Sequence, residues 1–132
     1  MAKKIDVVGA VIVRDGMILA VQRGAQQSLP GSWEFPGGKI EPGEDARSAL
    51  IRELDEELLC EITVGEFLTT TSYDYPFGTV VLSTYFCELV SGEPRLTEHS
   101  QLRWLAPSEL RGLDWAPADV PAVQLIEEKL GG

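Results

Sequence analysis

Glu53, Glu56 and Glu57 stand at i, i+3 and i+4. On a helix of 3.6 residues per turn, side chains at that spacing lean over one patch of surface. Like charges so placed repel by about a few tenths of a kcal/mol per pair. The crowding points to a compensating cation, Mg²⁺ or its substitute Mn²⁺, ions that take carboxylate oxygens. Arg52, the preceding residue, offsets part of the repulsion by itself. A solvated acidic helix edge is the plain alternative. A cation held there could activate water and absorb charge on phosphoryl oxygens, the two requirements for hydrolysing a phosphoanhydride.

The helix that must carry these carboxylates is marked by Ala46, Ala49, Leu50, Leu54 and Leu58, an apolar stripe at helical spacing. It is expected over residues 44–58, with Glu44 and Asp45 near the positive end of its dipole. Packing explains the stripe and leaves the glutamate edge unexplained. Upstream, β-branched residues alternate over 5–13, Asp15-Gly16 is a hairpin turn, and 17–22 returns as a second strand. A Gln-, Ser-, Pro- and Gly-containing loop over 24–32 leads to an extended piece at 33–35 and then Pro36-Gly37-Gly38, read as a turn. Downstream, long strands are expected over 62–73 and 79–90, joined at Pro76-Phe77-Gly78, and a short one over 101–105. A helical turn opens at Pro107, and a closing helix over 120–130 turns Val123, Ile126 and Leu130 toward a core. Without regular βαβ alternation, this order predicts an α+β fold, a mixed sheet flanked by helices.

A chain of 132 residues with 44% apolar content fits one domain, residues 1–132, with a core of its own. No apolar run approaches the roughly 20 residues of a membrane span. Met1-Ala-Lys-Lys leads at once to Asp6 in a strand-like pattern, so neither a secretory signal nor an anchor is expected. Cys60 and Cys87 lack CxxC spacing and sit in apolar stretches, which predicts reduced, buried thiols and a cytoplasmic location. The formal charge of −10 argues against polymeric nucleic acid, which demands a basic stripe. A small anionic substrate fits if metal ions and a few cationic residues meet its phosphates. Monomer and homodimer both stay open.

The string Gly-x5-Glu-x7-Arg-Glu-Leu-x-Glu-Glu runs from Gly38 through Glu44, Arg52, Glu53 and Leu54 to Glu56 and Glu57. It resembles the Nudix box, and it fixes seven residue types at set spacings. "WEFPGGKIEPGE" over 33–44, "AVQR" ending at Arg23 and "WAPAD" ending at Asp119 look like the MutT branch of that family, and most like its bacterial CTP pyrophosphohydrolases. Residues 65–95 match in strand pattern alone. Leu59 departs: the family pattern has Gly there, suited to a left-handed helix cap that costs a Leu about 1 kcal/mol. The resemblance implies a Nudix α/β/α sandwich and Mg²⁺-dependent hydrolysis of a nucleoside triphosphate to monophosphate and pyrophosphate. CTP, dCTP or 5-methylated relatives lead as substrates. Oxidised purine triphosphates such as 8-oxo-dGTP are the alternative, since the family's guanine-oxidation specialists carry an amide where this chain has Asp119. A noncatalytic nucleotide sensor is the alternative of another class, although such domains usually lose box carboxylates that are all present here. Nucleotide sugars and dinucleoside polyphosphates are disfavoured, because the short chain shows no insertion for a bulky second moiety.

Carried onto this chain, the resemblance makes Glu53, Glu56 and Glu57 metal ligands, with Glu53 or Glu98 as the base that orients or deprotonates water. Glu98, in "LTEHSQ", would also reach the metal; an exposed loop carboxylate is its alternative reading. Arg52 would steady the carboxylates. The carbonyl of Gly37 is a further ligand candidate, because a Gly-Gly turn lets main chain approach an ion closely. Arg23 and Lys39 would hold phosphate. Glu34 and Asp119 would border the nucleobase. Glu44 is read as a partner of Arg52 or a favourable charge at the helix start, and Asp119 has an alternative as N-cap of the final helix. Phe35 and Tyr75 either stack on a base or belong to the core. His99 is read as a loop bystander.

Overall fold

A computed structural model describes residues 3–131. Its centre is β1 (Lys4–Arg14), an 11-residue strand whose alternation sends Val8, Ala10 and Ile12 to one face and Val11 to the other. Asp15 and Gly16 both take positive φ, 52° and 77°, as a two-residue hairpin turn requires, and the chain returns as β2 (Met17–Gln22). Next come β3 (Trp33–Glu34) and β4 (Gly37–Lys39), then helix α1 (Ala46–Leu58). The hairpin of β5 (Glu61–Tyr75) and β6 (Gly78–Ser91), the short β7 (Gln101–Leu105) and helix α2 (Val120–Leu130) complete the chain. Two 3₁₀ segments, Pro107–Gly112 and Pro117–Asp119, lie between β7 and α2.

The seven strands form one mixed sheet with the path β3-β2-β1-β6-β5. β1 runs parallel to β6, with Val8 opposite Ser83, and antiparallel to β4, with Gly9 opposite Gly37. β7 pairs antiparallel with β2. One face packs Val8, Ala10, Ile12, Leu19 and Val21 against Ala49, Leu50, Leu54 and Leu58 of α1. The other packs Val11, Ile18, Ala20, Trp33, Phe35 and Trp115 against Ala122, Val123 and Ile126 of α2. A sheet between two helical layers is thus the α/β/α sandwich expected.

The structure departs from expectation at the 36–38 segment, at the start of α1 and at Leu130. The segment 36–38 is no turn: Gly37 and Gly38 are strand, laid against β1. α1 begins at Ala46, because Asp45 is its N-cap and accepts from the Ser48 N–H at 2.8 Å. Leu130 ends α2 half exposed, while Val123 and Ile126 are buried as expected. Cys60 and Cys87 are free and buried, and burial pushes their thiols up to about 11 and about 12. Among the described residues no helix is long and apolar enough to cross a membrane.

Full burial of Leu50, Leu54 and Leu58 stabilises the packing of α1 by roughly 5–9 kcal/mol. That exceeds the repulsion along its acidic edge, so the helix tolerates the glutamates. Its C-terminus carries a local cost. Leu59 is the left-handed cap, φ 55° and ψ 38°, with its N–H on the Asp55 carbonyl and its side chain 54% exposed. That conformation costs a non-glycine residue about 1–2 kcal/mol. Glycine's greater unfolded-state freedom returns about 0.5–1 kcal/mol of the relief. Leu59→Gly should therefore raise the melting temperature by about 1–4 °C, read by calorimetry; a lower melting temperature would show that the exposed leucine carries packing of its own.

Candidate active site

Glu53 and Glu57 flank the buried stripe of Leu50, Leu54 and Leu58, so the helix turns both partly inward, while Glu56 faces solvent. Glu53 is only 9% exposed. Its carboxylate lies over Gly38, where any Cβ would overlap it, and a Cβ on Gly37 would overlap the Val8 carbonyl. Both glycines are needed for close approach, one to a neighbouring strand and one to a carboxylate.

Arg52 gathers the acidic edge. Its Nε and Nη2 donate to the two oxygens of Glu44 at 2.7 and 2.8 Å, a bidentate pair. Nη1 donates to Glu53 Oε1 at 2.8 Å and to Glu56 Oε2 at 3.3 Å, and Nη2 also reaches the Lys39 carbonyl at 3.0 Å. These bonds, with the Glu41 N–H, hold the Glu44 carboxyl down to about 2. Burial acts the other way on the next residues. It raises Glu53 despite Arg52, and it raises Glu57, with Glu53, Glu98 and Glu34 adding to the rise and His99 opposing it.

Among the described residues the Glu57 carboxylate accepts no hydrogen bond, its nearest partner being His99 Nδ1 at 3.6 Å, and no three His, Cys, Asp or Glu side chains converge tightly enough to cage an ion. Buried carboxylates short of donors call for positive charge. A donor set of one or two carboxylates, completed by water and substrate phosphate, suits Mg²⁺ better than a metal that needs a closed protein cage. Glu53 and Glu57 fit that role, with Glu56 one helical position further out.

The other half of the site comes from β3 and its neighbours. Trp33 donates to the Asp114 carbonyl and accepts from the Ala116 N–H, both at 2.9 Å, which draws the 114–119 segment alongside β3. Asp119 is thereby buried to 5% exposure, and its Oδ1 accepts from the Phe35 N–H at 3.2 Å. Asp119 does stand at the N-cap position of α2 as read from sequence, but its side chain makes no capping bond there: its carboxylate is turned to β3 instead. Burial, then the nearby Glu34 charge, raises the Asp119 carboxyl well above the usual range. Phe35 packs on Trp115 at 4.7 Å between ring centroids and is core. Tyr75 stacks parallel to Phe77 at 5.1 Å and accepts from the Ala118 N–H.

Arg23, expected to be free for phosphate, is engaged. Its Nη1 donates to Glu34 Oε1 at 2.8 Å, Nη2 to Ser28 Oγ at 3.0 Å, and Nε to the Ser28 carbonyl. His99, read as a bystander, is buried at 5% exposure, with Nε2 2.8 Å from Glu34 Oε2. It is the chain's single histidine, set between Thr97 and Ser100, residues able to pin a loop. That was the available signal.

A cleft of about 590 Å³ collects Arg23, Glu34, Gly37, Lys39, Glu53, Glu57 and Asp119. Tyr75 and Phe77 also line it, together with Lys3. Arg52, Glu56 and Glu98 lie outside its lining, and Glu98 is exposed. The arrangement can hold a metal-bound polyphosphate at one end and a base against Asp119 at the other.

The NUDIX domain family matches residues 3–126. The CTP pyrophosphohydrolase of Escherichia coli is 43% identical over 122 residues, 92% of this chain and 90% of that protein. The putative 8-oxo-dGTP diphosphatase 2 of Mycobacterium tuberculosis is 41% identical over 139 aligned positions, covering 100% of this chain and 94% of that one. The solution NMR structure of the DNA mismatch repair protein MutT (family Nudix hydrolase) of methicillin-resistant Staphylococcus aureus 252 superposes with a TM-score of 0.80 at 50% identity, over 98% of this chain and 99% of that chain.

The Arg52–Glu44 pair has a pH signature. A carboxyl held down to about 2 in the folded state stabilises it above the unfolded pKa, and that stability is lost as pH falls from about 4.5 toward 2. Glu44→Gln should lower stability at pH 7 and narrow its gap to wild type across that window, measured by urea unfolding. A constant gap would remove Arg52 as the cause.

Proposed function

The chain belongs to the Nudix family as a pyrophosphohydrolase, and from that premise we propose that it converts CTP, dCTP or a 5-methylated relative, with water and Mg²⁺, to the nucleoside monophosphate and pyrophosphate. The observation that carries this reading is the single cleft joining the Glu53–Glu57 edge to Asp119. Glu53, Glu56 and Glu57, with the Gly37 carbonyl, would hold the metal. When bound, it supplies a water of lowered pKa and neutralises charge on the phosphoryl oxygens. Mn²⁺ is the expected substitute.

The chain's own groups supply the rest. Arg52 fixes Glu53 while leaving its second oxygen, Oε2, outside their bond. Glu53 takes the proton of the attacking water, while Glu98, exposed and outside the cleft lining, is left without a part in this step. Lys39 lines the cleft as a mobile point charge for phosphate. Arg23 meets phosphate by yielding one of its bonds to Ser28 while Glu34 keeps the other side of the guanidinium in place. Asp119, buried and inclined to keep its proton, offers both a donor and an acceptor. The amino edge of cytosine, with N4–H₂ beside N3, answers that pair.

Hydrolysis of 8-oxo-dGTP is the second reading, favoured by the Mycobacterium tuberculosis relative and by the same Asp119, since an oxidised guanine also presents N7–H beside O6. A pyrophosphate-release panel over ordinary, methylated and oxidised triphosphates separates the two.

Glu53→Gln should lower kcat by roughly 10²–10⁴-fold, the usual worth of a positioned base, and chelation of divalent ions should abolish turnover. Full turnover by that variant with Mg²⁺ would remove the proposed centre. Asp119→Ala and Glu34→Ala should change the ratio of kcat/KM among nucleotides, whereas Glu56→Ala lowers all alike. Uniform losses throughout would deny those two carboxylates a part in base selection.

A further inference from the structure

His99 Nδ1 is the one buried side-chain nitrogen or oxygen, among the described residues, without a hydrogen-bond partner. A polar atom so left costs the fold about 1–3 kcal/mol, which asks for an explanation. The ring is tightly placed. Its side chain is 1% exposed, Nε2 lies 2.8 Å from Glu34 Oε2, and Nδ1 lies 3.6 Å from Glu57 Oε2, just beyond a hydrogen bond. The segment that carries it is pinned at both ends. Thr97 Oγ1 donates to the Glu57 carbonyl at 2.7 Å, and the Ser100 N–H donates to the Gln22 carbonyl at 2.9 Å. Ser100 Oγ and the Gln101 amide both reach the Gln22 side chain. His99 therefore has little freedom to move, whereas among the described residues no hydrogen bond holds the Glu57 carboxylate.

We infer that His99 is a positioning residue which, with an N–H on each ring nitrogen, donates to Glu57 through Nδ1 and to Glu34 through Nε2 and so ties the metal-holding edge to the nucleotide end of the cleft. This rests on the reading of Glu57 as a metal ligand and of Glu34 as a nucleotide contact. The short gap between Nδ1 and Glu57 closes when that carboxylate is drawn into its working orientation, and the orphaned nitrogen then gains its partner. A metal ligand oriented by a hydrogen-bonded neighbour is typically about 10–100-fold weaker in metal affinity or activity without it. The line Glu57, His99, Glu34, Arg23 runs through contacts of 3.6, 2.8 and 2.8 Å, short enough for a change at one end to be felt at the other.

A single histidine makes the test direct. Wild-type protein labelled with ¹⁵N-histidine is observed by imidazole NMR at constant pH, first metal-free, then with Mg²⁺, then with CMP added. Mg²⁺ without nucleotide should displace Nδ1 more than Nε2, and CMP should displace Nε2. Alongside, Mn²⁺ affinity of nucleotide-free protein is measured by calorimetry, and KM and kcat for CTP are measured with Mg²⁺. His99→Leu should weaken Mn²⁺ binding roughly 10–100-fold, raise KM and lower kcat, whereas His99→Gln, whose amide keeps a donor toward Glu34 and none toward Glu57, should bring KM back to within about threefold while Mn²⁺ binding stays weak. Nδ1 unmoved by saturating Mg²⁺ overturns the inference, as does Mn²⁺ binding by folded His99→Leu at wild-type strength. KM raised equally in folded His99→Leu and His99→Gln would mean that the ring only fills space. If His99→Leu does not fold, the wild-type spectra and His99→Gln decide. Wild-type protein that neither binds Mn²⁺ nor hydrolyses CTP overturns the proposed function itself, a result visible before any variant is made.

Discussion

The Arg52 guanidinium is the interaction on which the acidic helix edge depends. Five N–H donors in a fixed fork let one side chain serve Glu44, Glu53, Glu56 and the Lys39 carbonyl together. No lysine could hold that geometry, since an ammonium is a point charge without a fork. The consequence reaches beyond the charges. Glu44 lies before α1 and Lys39 lies in β4, so Arg52 ties the helix to the loop and strand before it, and it fixes Glu53 over Gly38. Register between β4 and β1 then depends on the same contact, because Gly38 opposite Val8 is the place where the carboxylate needs an absent side chain.

Signals carried by neighbours in sequence were legible. The Asp15-Gly16 hairpin, the stripe through Leu50, Leu54 and Leu58, and the β5–β6 hairpin are all local, and each forms where periodicity and turn chemistry put it. The left-handed Leu59 was also foreseeable, since the cap position is set by helix length and the residue there happens not to be glycine. What sequence could not carry was contact at a distance. Gly37 and Gly38 look like a turn by composition, yet they are strand because the Val8 carbonyl and the Glu53 carboxylate crowd them. Asp119 looks like a helix cap until Phe35, 84 positions away, claims its oxygen. His99 looks exposed until Glu34, 65 positions away, meets its ring.

The cleft treats its carboxylates unequally, and the inequality follows from donors rather than from residue type. Glu34 is bonded by Arg23 and by His99, whereas Asp119 has the single Phe35 N–H and is more deeply buried. A carboxyl short of donors in an apolar setting holds its proton more tightly. The two acidic side chains of the cleft thus differ, Asp119 raised by burial and Glu34 with both oxygens already engaged by Arg23 and His99.

Charge sets the last constraint. The chain carries −10 formally, and a nucleoside triphosphate is a polyanion, so their interaction is repulsive within roughly 8 Å and largely screened by physiological salt beyond it. Within the cleft, Arg23 is already matched to Glu34, which leaves Lys39 and Lys3 as the lining cations without a carboxylate partner among the described residues. They are too few for both the phosphates and the buried Glu53–Glu57 edge. On the proposed function, protein and substrate share one deficit of positive charge, and a cation taken between them would answer both at once. A metal-bound polyphosphate in the cleft would relieve the burial of the edge, so that the binding of cation and nucleotide would favour each other without any further moving part.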